Sequence, residues 1–395
     1  MHRAMLLLVL LAIPLFGLDL VAVQAGPPSS FACSPLPPPL AHRVDQSDAT
    51  LVVKCVGSLP RDEQAGFSGE TLFVVVEVLR DVDETHTAGE KVTYPRDARA
   101  DEGCLYLLIG RNGWDKPIKI TAAALQYVKD APSPEKPAPD RLRYFFDFLE
   151  HEDEVVSHDA HLEFEEASLS DVVSLREGLS RETLRRWLEK SDLDPMRIGR
   201  YSLLLGLAGN EDDAAYLEAQ ILKPTQDYRP GVEGMVFGYL MLTGEAGLDV
   251  IDREKLADTD GLFSEVYPSM LSVRFLWDYV PERIPKDRLR ASMRIPLDRP
   301  DLTDLVVINL ARWGDWSVAD RLMEMYDDER FGEPIIKRSI VRYYLIATLA
   351  DKLSFYDAPL PAEETVAQCA AYLAELRERD PETVRQAERF FFLVE

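Results

Sequence analysis

The stretch Asp192-Leu-Asp-Pro-Met-Arg-Ile-Gly-Arg-Tyr-Ser-Leu-Leu-Leu-Gly-Leu-Ala-Gly-Asn210 reads as one complete helix, and its design recurs along the chain. Asp194 stands as N-cap and Pro195 at the first helical position, where the missing N–H costs nothing because that donor has no acceptor within the helix. Ile198, Tyr201, Leu204, Leu205 and Ala208 form an apolar stripe at helical spacing. Gly209-Asn210 ends it, since either residue accepts a left-handed cap conformation. Pro230, Pro268, Pro300 and Pro334 each sit at or near the start of a similar apolar helix, at successive separations of 35, 38, 32 and 34 residues. A recurrence of roughly 33–47 residues belongs to arrays of stacked helix pairs.

The chain has 395 residues and a formal net charge of −25. That length leaves room for two domains. An acidic surface repels nucleic acid and anionic lipid, so neither is expected as a partner. Met1–Ala25 has the layout of a signal peptide: Arg3, the apolar run Met5–Phe16, and Val23-Gln24-Ala25 as a small-residue cleavage site. The run is short for a membrane span and is broken by Pro14, and no later segment approaches about 18 consecutive apolar residues. The expectation is a soluble exported protein, periplasmic or extracellular, without a membrane span. Four cysteines suit an oxidising compartment. Cys33, Cys55 and Cys104 lie in the N-terminal third, where parity gives one disulfide and one free thiol. The preferred pair is Cys33–Cys104, which staples the irregular N-terminal segment to a strand. Cys369, among Ala367, Ala370 and Ala371, reads as a small buried hydrophobe.

After the Pro- and Ser-rich lead Gly26–Leu40, strand signals accumulate: Ala49–Leu59, Glu70–Arg80, Lys91–Tyr94, Gly103–Gly110 and Ile118–Leu125. Five short strands with turn residues between them suggest a small closed barrel. An Asp-Ala precedes an apolar strand ending near a glycine. There follow Phe-Val-Val-Val-Glu-Val-Leu-Arg, a polar loop with Gly89-Glu90, and Cys-Leu-Tyr-Leu-Leu-Ile-Gly. This order resembles the OB-like barrel of netrin/TIMP-type domains over Cys33–Val128. The tissue-inhibitor members begin Cys-x-Cys at the mature N-terminus. Here Cys33 is followed by Ser34-Pro35, so their inhibitor mechanism is not carried over.

Lys129–Asp140 (KDAPSPEKPAPD) reads as a Pro-rich linker and the domain boundary. From Arg141 the period becomes helical, and helix pairs follow to the end of the chain. Leu149-Glu-His-Glu-Asp-Glu-Val-Val-Ser-His-Asp-Ala160 resembles the turn and second helix of a HEAT repeat. That resemblance implies a HEAT-like α-solenoid over 141–395, with stacking of neighbours supplying the core. The expected class is therefore an α+β multidomain protein: signal peptide 1–25, OB-like barrel 26–128, linker 129–140 and helical array 141–395. Gly231–Gly238 (GVEGMVFG) is unusual inside a helix, where glycine costs roughly 1 kcal/mol. Close helix–helix packing is the expected compensation.

Three candidate sites emerge. His151, His158 and His161 stand among acidic residues, and the last two are i, i+3 on a helix, so they are candidate metal ligands; the alternative is an exposed polar face. Arg312-Trp313-Gly314-Asp315-Trp316 offers tryptophan and arginine, which dominate binding energetics when exposed; the alternative is that both rings plug a repeat interface. Phe390-Phe391-Phe392 cannot all face one side. Asp258-Thr-Asp260-Gly261 resembles the middle of a calcium loop, but Leu256 and Tyr267 occupy the first and last ligand positions, leaving an inter-helix turn. No nucleophile elbow, P-loop or dinucleotide fingerprint is present. The expected function is a non-enzymatic binding or scaffold protein of the cell envelope, with an unidentified protein partner and no cofactor. The alternatives are a metal-dependent enzyme using the histidines, or an inhibitor or ligand-binding module acting through the barrel.

Overall fold

The computed structural model describes residues 37–61, 68–176, 178–225, 227–353 and 358–391. The expected signal peptide, Cys33, Phe392 and the side chains of Phe390 and Phe391 lie outside what it describes. The protein is mixed α+β, with one five-stranded antiparallel sheet near the N-terminus and seventeen helices among the described residues. It divides into two compact units between Leu179 and Ser180.

The first unit holds helix α1 (Leu40–Asp45) and the sheet strands β1 (Ala49–Leu59), β2 (Glu70–Asp81), β3 (Lys91–Tyr94), β4 (Leu105–Gly110) and β5 (Ile118–Lys119). Four more helices follow: α2 (Ala122–Asp130), α3 (Ala138–Phe146), α4 (Glu154–Glu166) and α5 (Leu169–Val173). The strand order is β3-β2-β1-β4-β5. The sheet is open, which corrects the expected closed OB-like barrel. Closure needs edge strands long enough to tilt and pair with each other. Here the edges are four and two residues long. The fifth apolar run leaves the sheet after Lys119 because Thr121 caps α2, accepting the Ala124 N–H at 3.0 Å.

Pleating separates the two faces of the sheet. Leu51, Val53, Cys55, Phe73, Val75, Tyr106 and Leu108 form one buried cluster. Val52 and Leu107, paired across β1 and β4, point to the other face and are equally buried. Glu77 lies across from Val52 on β2 and accepts an ion pair from Lys129 of α2 at 2.7 Å, so α2 lies against this second face. The chain does not divide at the Pro-rich segment 129–140 because contacts cross it: Asp159 of α4 accepts the Leu40 N–H of α1 and the Tyr127 hydroxyl of α2. Its prolines interrupt the helices, and Pro139 lies in the first turn of α3, but the helices on both sides belong with the sheet.

The second unit is helical: α6 (Arg181–Leu188), α7 (Ile198–Ala208), α8 (Glu211–Ile221), α9 (Val232–Thr243), α10 (Glu245–Ile251), α11 (Phe263–Tyr279), α12 (Lys286–Arg294), α13 (Thr303–Arg312), α14 (Ala319–Asp327), α15 (Pro334–Leu349), α16 (Glu363–Arg379) and α17 (Pro381–Phe391). Packing runs through every second helix, α7 on α9 on α11 and α13 on α15 on α17. The intervening α6, α8, α10, α12, α14 and α16 each lie against a chain neighbour.

The stretch around Pro195 folds nearly as expected. The Asp194 side chain accepts the Met196 N–H at 3.0 Å, and Pro195–Arg197 forms a 3-10 turn that leads into α7. The stop differs. Gly209 is extended (φ −81°) rather than left-handed, and Asn210 begins α8 in a reciprocal capping box with Asp213.

The glycines of α9 face those of α7. A Cβ added at Gly234 lies 2.0 Å from the Gly199 carbonyl oxygen, one at Gly238 lies 2.2 Å from the Ser202 carbonyl oxygen, and one at Gly206 lies 2.2 Å from the Gly238 Cα. The two backbones are in direct contact, the close packing expected of that glycine-rich helix.

Candidate functional site

Two features of the first unit concentrate charge. The first lies around α4, which is capped by Asp153 accepting the Val155 N–H at 2.9 Å. Asp159 and Glu163 stand one turn apart on the inner side of this helix, with Asp159 3% and Glu163 0% exposed. Asp159 Oδ1 accepts the Leu40 N–H at 2.7 Å, and Oδ2 accepts the Tyr127 hydroxyl at 2.8 Å. Helix α1 has Pro39 at its N-cap position and no side-chain cap of its own. Asp159 therefore supplies from a distance the anion that a helix N-terminus attracts. The Tyr127 ring packs edge-on against Phe148, and the Tyr144 hydroxyl donates to the Tyr127 carbonyl at 2.9 Å.

Among the described residues Glu163 pairs with one cation, Arg141 at 3.3 Å, and Arg141 Nη1 lies 2.6 Å from His42 Nε2 on α1. Neither carboxylate oxygen of Glu163 has a hydrogen-bond partner among the described residues. Burial pushes its carboxyl up to about 7; the charges of Asp159 and Glu166 add to the rise, and Arg141 opposes it. Burial likewise raises Asp159, against the two hydrogen bonds it accepts. A glutamate titrating near neutrality has the acidity of a general acid or base. Glu163 nevertheless has no exposed surface and does not line the cavity described next.

That second feature is a cavity of about 790 Å³. Its wall includes Arg43 and Gln46 at the end of α1, Arg111 just past β4, and Asp115 and Lys116 on the way to β5. Arg43 pairs with Asp115 at 3.1 Å, and Arg111 donates to the Gln46 side-chain carbonyl at 3.2 Å. Asn112, left-handed at φ 56°, donates its N–H to Asp48 at 3.0 Å and fixes the loop that carries Arg111. Three cations thus face one carboxylate in a chain of net charge −25. A guanidinium has five N–H donors, and Arg43 and Arg111 each spend only part of theirs on these contacts. The wall is chemically suited to an anionic small molecule.

The expected site residues are placed otherwise. His151 lies in the turn before α4, where its Nδ1 accepts the Asp153 N–H at 3.0 Å. His158 is exposed and His161 buried, so their i, i+3 spacing does not bring them to one surface. Among the described residues no group of three or more His, Cys, Asp or Glu side chains is placed to hold a metal ion.

In the second unit Trp313 is buried and stacks on Trp277 of α11, with ring centroids 4.2 Å apart and planes 8° apart. Lys286 and Arg290 lie over the Trp277 ring at 4.7 and 5.1 Å, and Arg290 also donates to the Trp313 carbonyl at 2.6 Å. Gly314 (φ 67°) turns the chain, and Asp315 enters the interior to pair with Arg294 at 2.6 Å. Arg312 is exposed and is not the partner of Asp315. Trp316 is half-buried and meets Tyr343 edge-on. Trp313 and Asp315 thus serve packing between helices.

Of the cysteines expected to pair, Cys104 is a half-buried free thiol, and Cys33 lies outside the described residues. Cys369 is buried, as expected, and burial pushes its thiol up to about 12.

In the sequence Asp159 and Glu163 stand out only as acidic neighbours of the three histidines, and Arg141 and the three cavity cations do not stand out at all. The available signal was the i, i+4 spacing of Asp159 and Glu163 on the same side of the helix as Val156 and Ala160. Compared with protein families, curated proteins and solved structures, the chain finds no significant match.

Proposed function

We propose that the protein is an exported, non-enzymatic binding protein whose second unit works as a HEAT-like scaffold for a protein partner. The observation that carries this reading is the packing of every second helix, α7–α9–α11 and α13–α15–α17, with their chain neighbours beside them. Stacked helix pairs of this kind present long runs of surface built from successive elements. The absence of catalytic motifs in the sequence and the sealed position of Glu163 support a binding role over catalysis. The test is site-specific photo-crosslinking in cells, with the photoreactive residue at Ile308 or Ile335, both exposed on the second unit. The expected result is one common protein adduct from both positions and none from Val82, exposed in the first unit. No adduct, or equal labelling from Val82, refutes the scaffold reading. Edman sequencing of the mature chain tests export and should begin at Gly26.

The cavity favours a second reading, in which the first unit binds a small anionic ligand through Arg43, Arg111 and Lys116. Isothermal titration with inorganic phosphate and with a tricarboxylate should give saturable heat that Arg111→Ala abolishes. A response left intact by that variant, or none from the wild type, removes this reading.

A further inference from the structure

We propose that Cys55 and Cys104 are the disulfide pair of this protein, in place of Cys33–Cys104. The argument rests on the backbone and on where the two side chains lie. Cys55 is near the end of β1, and Cys104 immediately precedes β4. The Cys55 N–H donates to the Cys104 carbonyl at 3.1 Å, and the Gly103 N–H donates to the Cys55 carbonyl at 2.9 Å. Gly103 is left-handed (φ 82°). This set is a bulge in which glycine supplies the extra residue and the next residue, Cys104, sits opposite Cys55. Hydrogen-bonded residues facing each other on antiparallel strands have Cα atoms about 5.5 Å apart, inside the span a disulfide bridges.

Direction agrees with distance. Cys55 is part of the apolar cluster on the first sheet face, and Cys104 packs against that same cluster, so both side chains leave the sheet on one side. Both are free thiols among the described residues, and the Cys55 sulfur makes weak contacts to the Gly57 and Ala100 carbonyls at 3.9 and 3.8 Å. Exposure differs between them, which orders the chemistry: Cys104 is half-buried and Cys55 fully buried.

The step is thiol–disulfide exchange with a small or protein disulfide as oxidant. The Cys104 thiolate attacks one sulfur of the oxidant, giving a mixed disulfide and releasing one thiol. The Cys55 thiolate then attacks the Cys104 sulfur, and the second half of the oxidant leaves as a thiol. The two protein thiols lose two protons and two electrons, and the oxidant disulfide becomes two thiols.

The test uses the full chain as Cys33→Ser/Cys369→Ser, which keeps only the proposed pair, beside the wild type. Each is incubated with oxidised glutathione, blocked with an alkylating reagent and mapped by peptide mass spectrometry without reduction. The expected result is a linked Cys55–Cys104 peptide in both proteins, no alkylation at either cysteine, and a denaturation midpoint that falls on reduction. Wild-type peptides linking Cys33 to Cys104 overturn the proposal. So does alkylation of both cysteines in the double variant while its circular dichroism matches the wild type. Should the double variant not fold, the linkage found in the wild type alone decides.

Discussion

Gly234→Ala is the substitution that most directly tests how α7 and α9 are held together. The added Cβ lies 2.0 Å from the Gly199 carbonyl oxygen and 2.5 Å from its carbon. Ordinary contact begins at 3.4 Å, so α9 must retreat by the difference, 3.4 − 2.0 = 1.4 Å, or rotate by an equivalent amount. No rotamer relieves the clash, because both partners are backbone. Retreat opens the seam further along, where Gly206 meets Gly238, and a gap of 0.5–1 Å already forfeits roughly a quarter to a half of each dispersion contact. Overpacking of this kind costs about 1–3 kcal/mol and sometimes more. Against it stands the gain of alanine over glycine within a helix, at most about 1 kcal/mol. The clash wins, with a net loss on the order of 2 kcal/mol. In a unit of 216 residues (395 − 180 + 1), that corresponds to a fall in melting temperature of roughly 4–8 °C. The assay is scanning calorimetry of the full chain, with Gly332→Ala as control. There the nearest atom to an added Cβ is the Glu329 carbonyl oxygen at 3.1 Å, and φ is −68°, so a small shift is expected. A Gly234→Ala protein melting at or above the wild type would falsify the direct-contact argument.

Three further outcomes follow from the buried groups. Below pH 4.5, the ordinary glutamate value, Glu163 is protonated whether the chain is folded or unfolded, and its contribution is fully present. Between there and about 7 the folded chain keeps a proton that the unfolded chain has released, so stability falls as pH rises, by up to about 3 kcal/mol. Urea titrations across that window should show the slope in the wild type and a flatter one in Glu163→Gln; equal slopes would count against the assignment. Asp159→Ala leaves the Leu40 N–H and the Tyr127 hydroxyl without their acceptor and should destabilise the first unit by about 2–4 kcal/mol. Hydrogen exchange should show α1 opening first, and unchanged protection at Leu40 would contradict this. Trp313→Ala empties the stack on Trp277 and should cost about 3–5 kcal/mol. A melting temperature within a degree of the wild type would mean that the indoles do not hold the helices.

Local signals read the helices well. Asp194-Pro195, Pro334 and the glycine-rich helix all carry physical constraints that act within a few residues, so cap, start and close packing were legible. The closed barrel was not, because closure depends on how far the edge strands run. In Ile118–Leu125 the capping Thr121 and the helix-favouring Ala122-Ala123-Ala124 mark where the chain turns helical after Lys119, a signal hidden within one continuous apolar run. The Pro-rich segment misled for a related reason. Proline reports where a helix is interrupted, whereas membership of a compact unit is set by distant contacts such as Tyr127–Asp159. At Trp313 and Asp315 the composition of an exposed binding site and that of a packed helix junction are the same, and burial against distant partners such as Trp277 decides between them. The cavity cations are single residues on separate elements, with no pattern along the chain for a reader to find.

The joint at Gly209-Asn210 fixes the chain's length as well as its direction. Two residues separate α7 from α8, and one of them already serves as the cap of the second helix. Asp213, which completes that cap, is also gripped by Arg181 and Arg185 of α6. A tag or a single extra residue placed here would uncouple three helices at once. Insertions and deletions in any divergent copy of this chain should therefore gather away from residues 209–213.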